Sequence, residues 1–258
     1  MTQDERRVFL IDYLLRENRK IRSVISQDAE EQRKLLRSLM NVRMPDPIDE
    51  EFLAVQDEYL KNRSIERGIT DIDSLDAVKT DYRLFIWQGD ITTLKCDAIV
   101  NACNSQMLGC FQPLHSCIDN FIHTYAGIEL RLKMNEIMTL QGHEEPTGQA
   151  KITSGYNLPA KFILHTVGPI VQWDVTPEDE ELLRGCYRSC LKLAADNNAA
   201  SIAFCCISTG VFRFPQEPAA EIAVKTVKEY LDTDDRIKKV VFNVFKDEDL
   251  RIYKNLIG

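Results

Sequence analysis

From Arg6 to about Arg67, apolar residues recur at helical spacing. The segment RRVFLIDYLLREN places Phe9, Leu10, Tyr13 and Leu14 on one face, and AEEQRKLLRSLM repeats the pattern with Leu35, Leu36 and Leu39. Polar breaks follow each segment, and the two prolines of MPDPIDEEFLAVQDEYLKNRSIER precede a third amphipathic stretch. The pattern predicts a small helical extension, residues 1–80, whose apolar faces pack on a larger domain. No residue set within it suggests chemistry.

The texture changes near Tyr82. RLFIWQGDIT and CDAIVNACN are short apolar runs that end in Gly or Asn, and AKFILHTVG, SIAFCCIST and KKVVFNVF follow at wide intervals with helical patterns between them. Strands alternating with helices over residues 81–258 predict an α/β layer fold with a mainly parallel sheet covered on both faces. Ligands of such folds bind beyond the carboxyl ends of the strands, which is where GDI, NACN and ISTG fall. Three separated loops are therefore expected to converge on one cleft.

Composition narrows the class. The 258 residues include 32 basic and 40 acidic side chains, a net charge of -8 that argues against a general nucleic-acid binder but leaves room for a small anionic ligand held by backbone donors. The N-terminus, MTQDERRVFLIDYLL, carries acidic residues where a secretory signal is basic, and no apolar run approaches a membrane span. A cytoplasmic protein with no membrane partner is expected, its eight cysteines serving as thiols, ligands or core fillers.

The strand ends carry candidate chemistry. In CISTGVFRFP, Ser208, Thr209 and Gly210 leave an apolar strand before a helix-forming segment, so backbone amides and a helix N-terminus can cradle a diphosphate. An ordinary strand-to-helix turn fits the same residues. Asp90 follows a strand and a glycine, where its carboxylate can accept from an exocyclic amine or a sugar hydroxyl while the Ile91 amide donates beside it, or can simply cap the turn. Asn101 and Asn104 end the next strand with amides suited to ribose hydroxyls, or to turn formation.

The densest segment is LGCFQPLHSCIDNFIH, Leu108 to His123. Cys110, His115 and Cys117 offer two sulfurs and one nitrogen, a donor set suited to zinc whose two thiolates balance the ion's charge and whose fourth position stays open. C-x4-H-x-C is no general zinc signature, so spacing alone leaves metal site and coincidence both open. His123 is a possible fourth ligand but favours a packed role, and His165 lies within a predicted strand. Cys186 and Cys190, one helical turn apart, read as core; Cys205 and Cys206 read as opposite faces of a strand.

Taken together, GDIT, DAIVNACNSQMLG, IHTYAG, EPTGQAKITSGYNLPAKFILHTVGP and ISTGVF resemble, in order, the motifs of the macrodomains, which bind or hydrolyse ADP-ribose. The resemblance spans about residues 82 to 258 and is nearest to the zinc-containing macrodomains of bacteria and fungi, protein-ADP-ribose hydrolases with an N-terminal helical extension. It implies a three-layer α/β/α sandwich. It also implies Zn2+ held by Cys110, His115 and Cys117, and a catalytic Asp119, which stands four residues before His123 as in the common macrodomain loop. Asn104 would hold the distal ribose as a catalytic-site residue, and Asp90 and Ile91 would contact adenine. Ser208, Thr209, Gly210, Val211 and Phe212 would wrap the diphosphate, with Cys117, Ile118 and Asp119 completing the ADP-ribose contacts. Cys103, where many members have alanine, and Arg213, where many have glycine, are departures.

By resemblance the expected reaction is zinc-dependent removal of mono-ADP-ribose from modified protein side chains. The same cleft also suits a deacetylase of O-acetyl-ADP-ribose or a non-catalytic ADP-ribose reader. The resemblance further implies a partner: a mono-ADP-ribosylated protein, with a lipoylated carrier like the glycine-cleavage H protein as one instance.

Overall fold

The computed structural model describes residues 1–18, 20–21 and 23–258. Three helices open the chain, α1 (Gln3–Glu17), α2 (Ala29–Val42) and α3 (Glu50–Arg67). Their starts are written locally: Thr2 and Glu5 form a capping box, and Asp28 accepts from the amide of Glu31. Leu10, Ile11 and Leu14 of α1, Leu36, Leu39 and Met40 of α2, and Phe52, Tyr59 and Leu60 of α3 share one buried cluster with Ile128 of the larger domain. Each large aliphatic side chain so buried contributes roughly 1.5–3 kcal/mol, and with Ile128 the one buried member from the domain, the apolar faces of the extension pack chiefly on one another and not, as expected, on the domain.

Nine strands follow: β1 (Thr70–Asp71), β2 (Ala77–Val78), β3 (Asp81–Gln88), β4 (Leu94–Lys95), β5 (Ala98–Cys103), β6 (Ala150–Ser154), β7 (Phe162–Val167), β8 (Ser201–Phe204) and β9 (Lys239–Val244). β1 and β4 form a short parallel pair, and the others form one sheet in the order β2-β3-β9-β8-β5-β7-β6. Its inner five strands are parallel and its two edge strands antiparallel. β2 already pairs with β3, so the sheet reaches back before residue 81.

Helices α4 (Ile118–Ala126) and α5 (Ile128–Gln141) form one flanking set, and α6 (Pro177–Asp196), α7 (Gln216–Leu231) and α8 (Asp247–Ile257) pack in series as the other. Because helices cover both faces, the inner strands are apolar nearly throughout: Ala98, Ile99 and Val100 of β5 and all four residues of β8 are buried. The expected three-layer α/β/α sandwich with a helical N-terminal region is therefore present. One detail differs: β8 ends at Phe204, so Cys205 and Cys206 lie beyond the strand. No helix among the described residues is long and apolar enough to cross a membrane.

Candidate active site

Parallel strands β3, β9, β8 and β5 stand side by side, so the residues after β3, β5 and β8 line one edge of the sheet. That edge spans three inter-strand spacings, about 14–15 Å, enough for an extended dinucleotide-like ligand. Asp90 and Ile91 lie at one end and Asn104 at the other, with Ser208 to Phe212 between them.

At the β5 end, Asn104 begins a turn. Its Oδ1 accepts from the amides of Gln106 and Met107, each at 3.1 Å. The chain then passes Gly109, whose φ of +83° and contact with the His123 ring exclude a side chain, since a Cβ would meet that ring at 2.7 Å. Beyond it the ligand atoms of Cys110, His115 and Cys117 all lie within 4.8 Å of one another. Cys110 Sγ stands 3.5 Å from His115 Nδ1. Cys117 caps α4, its Sγ accepting from the Asn120 amide at 3.4 Å, a place where the helix dipole favours negative charge. Burial pushes the Cys117 thiol up to about 12 in the metal-free chain, and Cys110 adds to the rise against the lowering pull of the Asn120 amide. His123 stays outside this group.

Asp119, on the first turn of α4, faces inward. Its Oδ1 accepts from Asn101 Nδ2 at 2.8 Å, and Oδ2 has no partner among the described residues. Asn101 Nδ2 also lies 3.2 Å from His165 Nδ1, and His165 Nε2 lies 2.9 Å from Thr153 Oγ1. Burial holds His165 down at about 3, so the ring is neutral. With Asn101 donating to Nδ1, the ring proton sits on Nε2 and points at Thr153. Burial raises the Asp119 carboxyl to about 6, the Asn101 bond opposing the rise. Asn101, seen from sequence as a ribose contact, instead orients Asp119 from within the core.

The loop after β8 is differently made. Ser208 adopts a φ of +65° and Arg213 one of +60°, and the bonds Arg213 N to Gly210 O and Phe214 N to Ser208 O close a tight arch. Among the described residues the amides of Ser208, Gly210, Val211 and Phe212 donate to nothing, and the buried Ser208 Oγ has no partner. Such a row of free donors is an anion cradle in form.

At the β3 end the structure adds two residues that the sequence reading missed. Arg67, from the end of α3, donates to Asp90 Oδ2 and to Thr92 Oγ1, both at 2.9 Å, and stacks 3.5 Å from the Tyr125 ring centroid. Asp90 Oδ1 is taken by the Thr92 amide and hydroxyl at 2.9 and 2.6 Å. An exocyclic amine would thus share Oδ2 with Arg67. Phe245, just past β9, is 76% exposed, and its carbonyl accepts from Gln88 beside Asp90. An exposed ring at that place offers a stacking face. An aromatic residue directly beyond the carboxyl end of an inner strand was the available signal.

The extension also reaches the site, contrary to the expectation that it carries nothing beyond packing. Arg37 of α2 donates to His115 O at 2.8 Å and to Asn120 Oδ1 at 2.7 Å, and Asn41 accepts from the Leu114 amide at 3.1 Å.

Known proteins share this fold. The family model described as "Macro domain" matches residues 100–223. A Treponema medium protein named "Protein-ADP-ribose hydrolase" is 55% identical over 261 aligned positions, covering all of both chains. A Trypanosoma brucei macrodomain solved with ADP-ribose is 28% identical at a TM-score of 0.67, covering 90% of this chain and 97% of that one. A variant of the Oceanobacillus iheyensis macrodomain solved with ADPR is 40% identical at a TM-score of 0.62, covering 70% of this chain and 94% of that one. The chain belongs to the macrodomain family.

Proposed function

We propose that this protein is a protein-ADP-ribose hydrolase that removes mono-ADP-ribose from modified side chains, with zinc held by Cys110, His115 and Cys117. The observation that carries the metal is the donor geometry. A tetrahedral zinc with ordinary bond lengths sets a sulfur and a nitrogen ligand about 3.6 Å apart, and Cys110 Sγ and His115 Nδ1 are 3.5 Å apart. The identity to a relative of that name over the full chain supports the activity.

In this reading the diphosphate lies on the free amides of Ser208 to Phe212, adenine contacts Asp90 Oδ2 and the Ile91 amide with Phe245 as its stacking face, and Asn104 meets the distal ribose. Zinc, when bound, would supply a Lewis acid with one open position for a water or ribose oxygen. Asp119 Oδ2, the oxygen left free by Asn101, takes a proton from the attacking water as the bond from the anomeric carbon to the modified side chain breaks, and the side chain departs with that proton or as its stable anion. Positive charge developing at the anomeric carbon is met by the carboxylate and the diphosphate.

The deciding assay is release of ADP-ribose from a mono-ADP-ribosylated protein, before and after chelation and after zinc is restored, with a lipoylated carrier among the test substrates. Asp119→Ala should lose about 10²–10⁴-fold in turnover while still binding ADP-ribose. Wild-type turnover in that variant would remove Asp119 from the mechanism. ADP-ribose binding without release, from zinc-loaded protein, would make the protein a reader; release of acetate from the acetylated nucleotide alone would make it a deacetylase.

A further inference from the structure

We propose that α2 of the extension is part of the scaffold of the cysteine-histidine loop, with Arg37 and Asn41 as positioning residues that hold Cys110 to Cys117 in their converged conformation. The consequence for metal affinity rests on the zinc reading above; the positioning itself does not.

Arg37 and Asn41 are one helical turn apart and therefore share a face of α2. Arg37 Nη2 donates to His115 O at 2.8 Å, fixing the backbone of a proposed ligand. The same guanidinium grips Asn120 Oδ1 at 2.7 and 3.1 Å and lies 4.1 Å from the Phe121 ring centroid. Asn120 in turn donates from Nδ2 to Gln112 O at 3.0 Å and to Cys110 O at 3.4 Å, and from its amide to Cys117 Sγ. One arginine thus reaches all three ligand residues, directly or through one asparagine.

Asn41 acts on the turn between them. Leu114 has a φ of +56°, costly for a branched side chain, and its amide donates to Asn41 Oδ1 while Asn41 Nδ2 donates to Thr124 Oγ1. Arg131 of α5 closes the arrangement, donating to Leu108 O at the start of the loop and to the carbonyls of Met40, Asn41 and Arg43 at the end of α2. With its carbonyls and amide fixed from outside, the loop can present two thiols and an imidazole without folding around the ion first. Supporting hydrogen bonds of this kind change metal affinity by about 10–100-fold.

The test uses the full chain and two readouts. In chelated protein, hydrogen exchange of the amides at residues 111–117 reads loop order without metal; competition with a chromophoric chelator reads zinc affinity. Arg37→Met and Asn41→Ala should each speed exchange in that segment and weaken zinc by about 10–100-fold, with exchange in β5 and β8 unchanged and a modestly lowered unfolding midpoint from the lost hydrogen bonds. If Arg37→Met does not fold, Arg37→Lys keeps the charge and loses the fork, and should give a smaller shift in the same direction. Unchanged exchange and unchanged zinc affinity in the folded variants would overturn the proposal. Absence of zinc from the unsubstituted protein would instead fail the metal reading, and faster exchange in the variants would still uphold the scaffold.

Discussion

The loop between β5 and α4 is gripped at its carbonyls by side chains of α2, α4 and α5, whereas the loop between β8 and α7 takes no such bond among the described residues. In the first, carbonyls of Leu108, Cys110, Gln112 and His115 accept from Arg131, Asn120 and Arg37, and the Cys110, His115 and Cys117 side chains converge to within 4.8 Å of one another. In the second, four amides and the Ser208 hydroxyl have no partner among the described residues. The difference fits two kinds of guest. A small cation needs side-chain ligands set in advance on a fixed backbone, while a diphosphate spread over several ångströms is bound by the backbone itself.

The largest test of this contrast is Cys117→Ala. It removes one proposed ligand and the Asn120 amide's bond to Cys117 Sγ but leaves the carbonyl bonds that hold the loop, so the fold should persist while zinc content and most turnover are lost. The expected loss exceeds the roughly 10–100-fold that a supporting bond costs a metal site. Metal analysis of the purified variant checks it, and full zinc occupancy would refute the ligand set. Affinity for ADP-ribose should change far less, because the other loop is untouched.

Ser208→Ala makes the reciprocal test. Removing a buried hydroxyl that has no partner should stabilise the ligand-free protein by up to about 1 kcal/mol, read as a raised unfolding midpoint. The lost bond to a charged diphosphate should weaken ADP-ribose by about 10–100-fold, the equivalent of 1.5–3 kcal/mol. Zinc content should not move. A variant that loses zinc but keeps ADP-ribose affinity would collapse the distinction between the loops.

What sequence could and could not reveal follows the same division. β5, β7, β8 and β9 are legible because both faces are buried and their apolar runs are nearly unbroken. β6, an edge strand of Ala, Lys, Ile, Thr and Ser, lacks that signal. The convergence of Cys110, His115 and Cys117 is legible because the three residues lie within eight positions of one another. Arg37 is not: it meets His115 and Asn120 across 78 and 83 residues of chain, and nothing local marks such a pairing. Its α2 neighbours Leu36 and Leu39 signal only an apolar face, which is why the extension looks inert until the layers are stacked. Asn101 misleads for a related reason, since a residue near a strand's carboxyl end can turn into the core as readily as toward the cleft.

The smallest expected effect concerns the buried polar line behind the first loop. His165 is held down at about 3 by burial, and His123 is pushed well below its ordinary value, first by burial and then by Arg131 and His165. Both are therefore neutral in the folded protein near neutrality, while in the unfolded chain they titrate near 6.5. The unfolded state then binds more protons, so stability falls as pH drops through 6.5. From pH 7 to 6 each histidine accounts for about 0.7 kcal/mol of loss. Asp119, raised to about 6, works the other way and returns a few tenths of a kcal/mol, leaving a net loss of about 1 kcal/mol. Unfolding followed across this window in chelated protein keeps metal release out of the profile. His165→Gln should remove about half of the histidine-dependent slope. A flat profile in the unsubstituted protein would show that the core line opens to water before the fold does, and that the first loop rests on a softer base than its hydrogen bonds suggest.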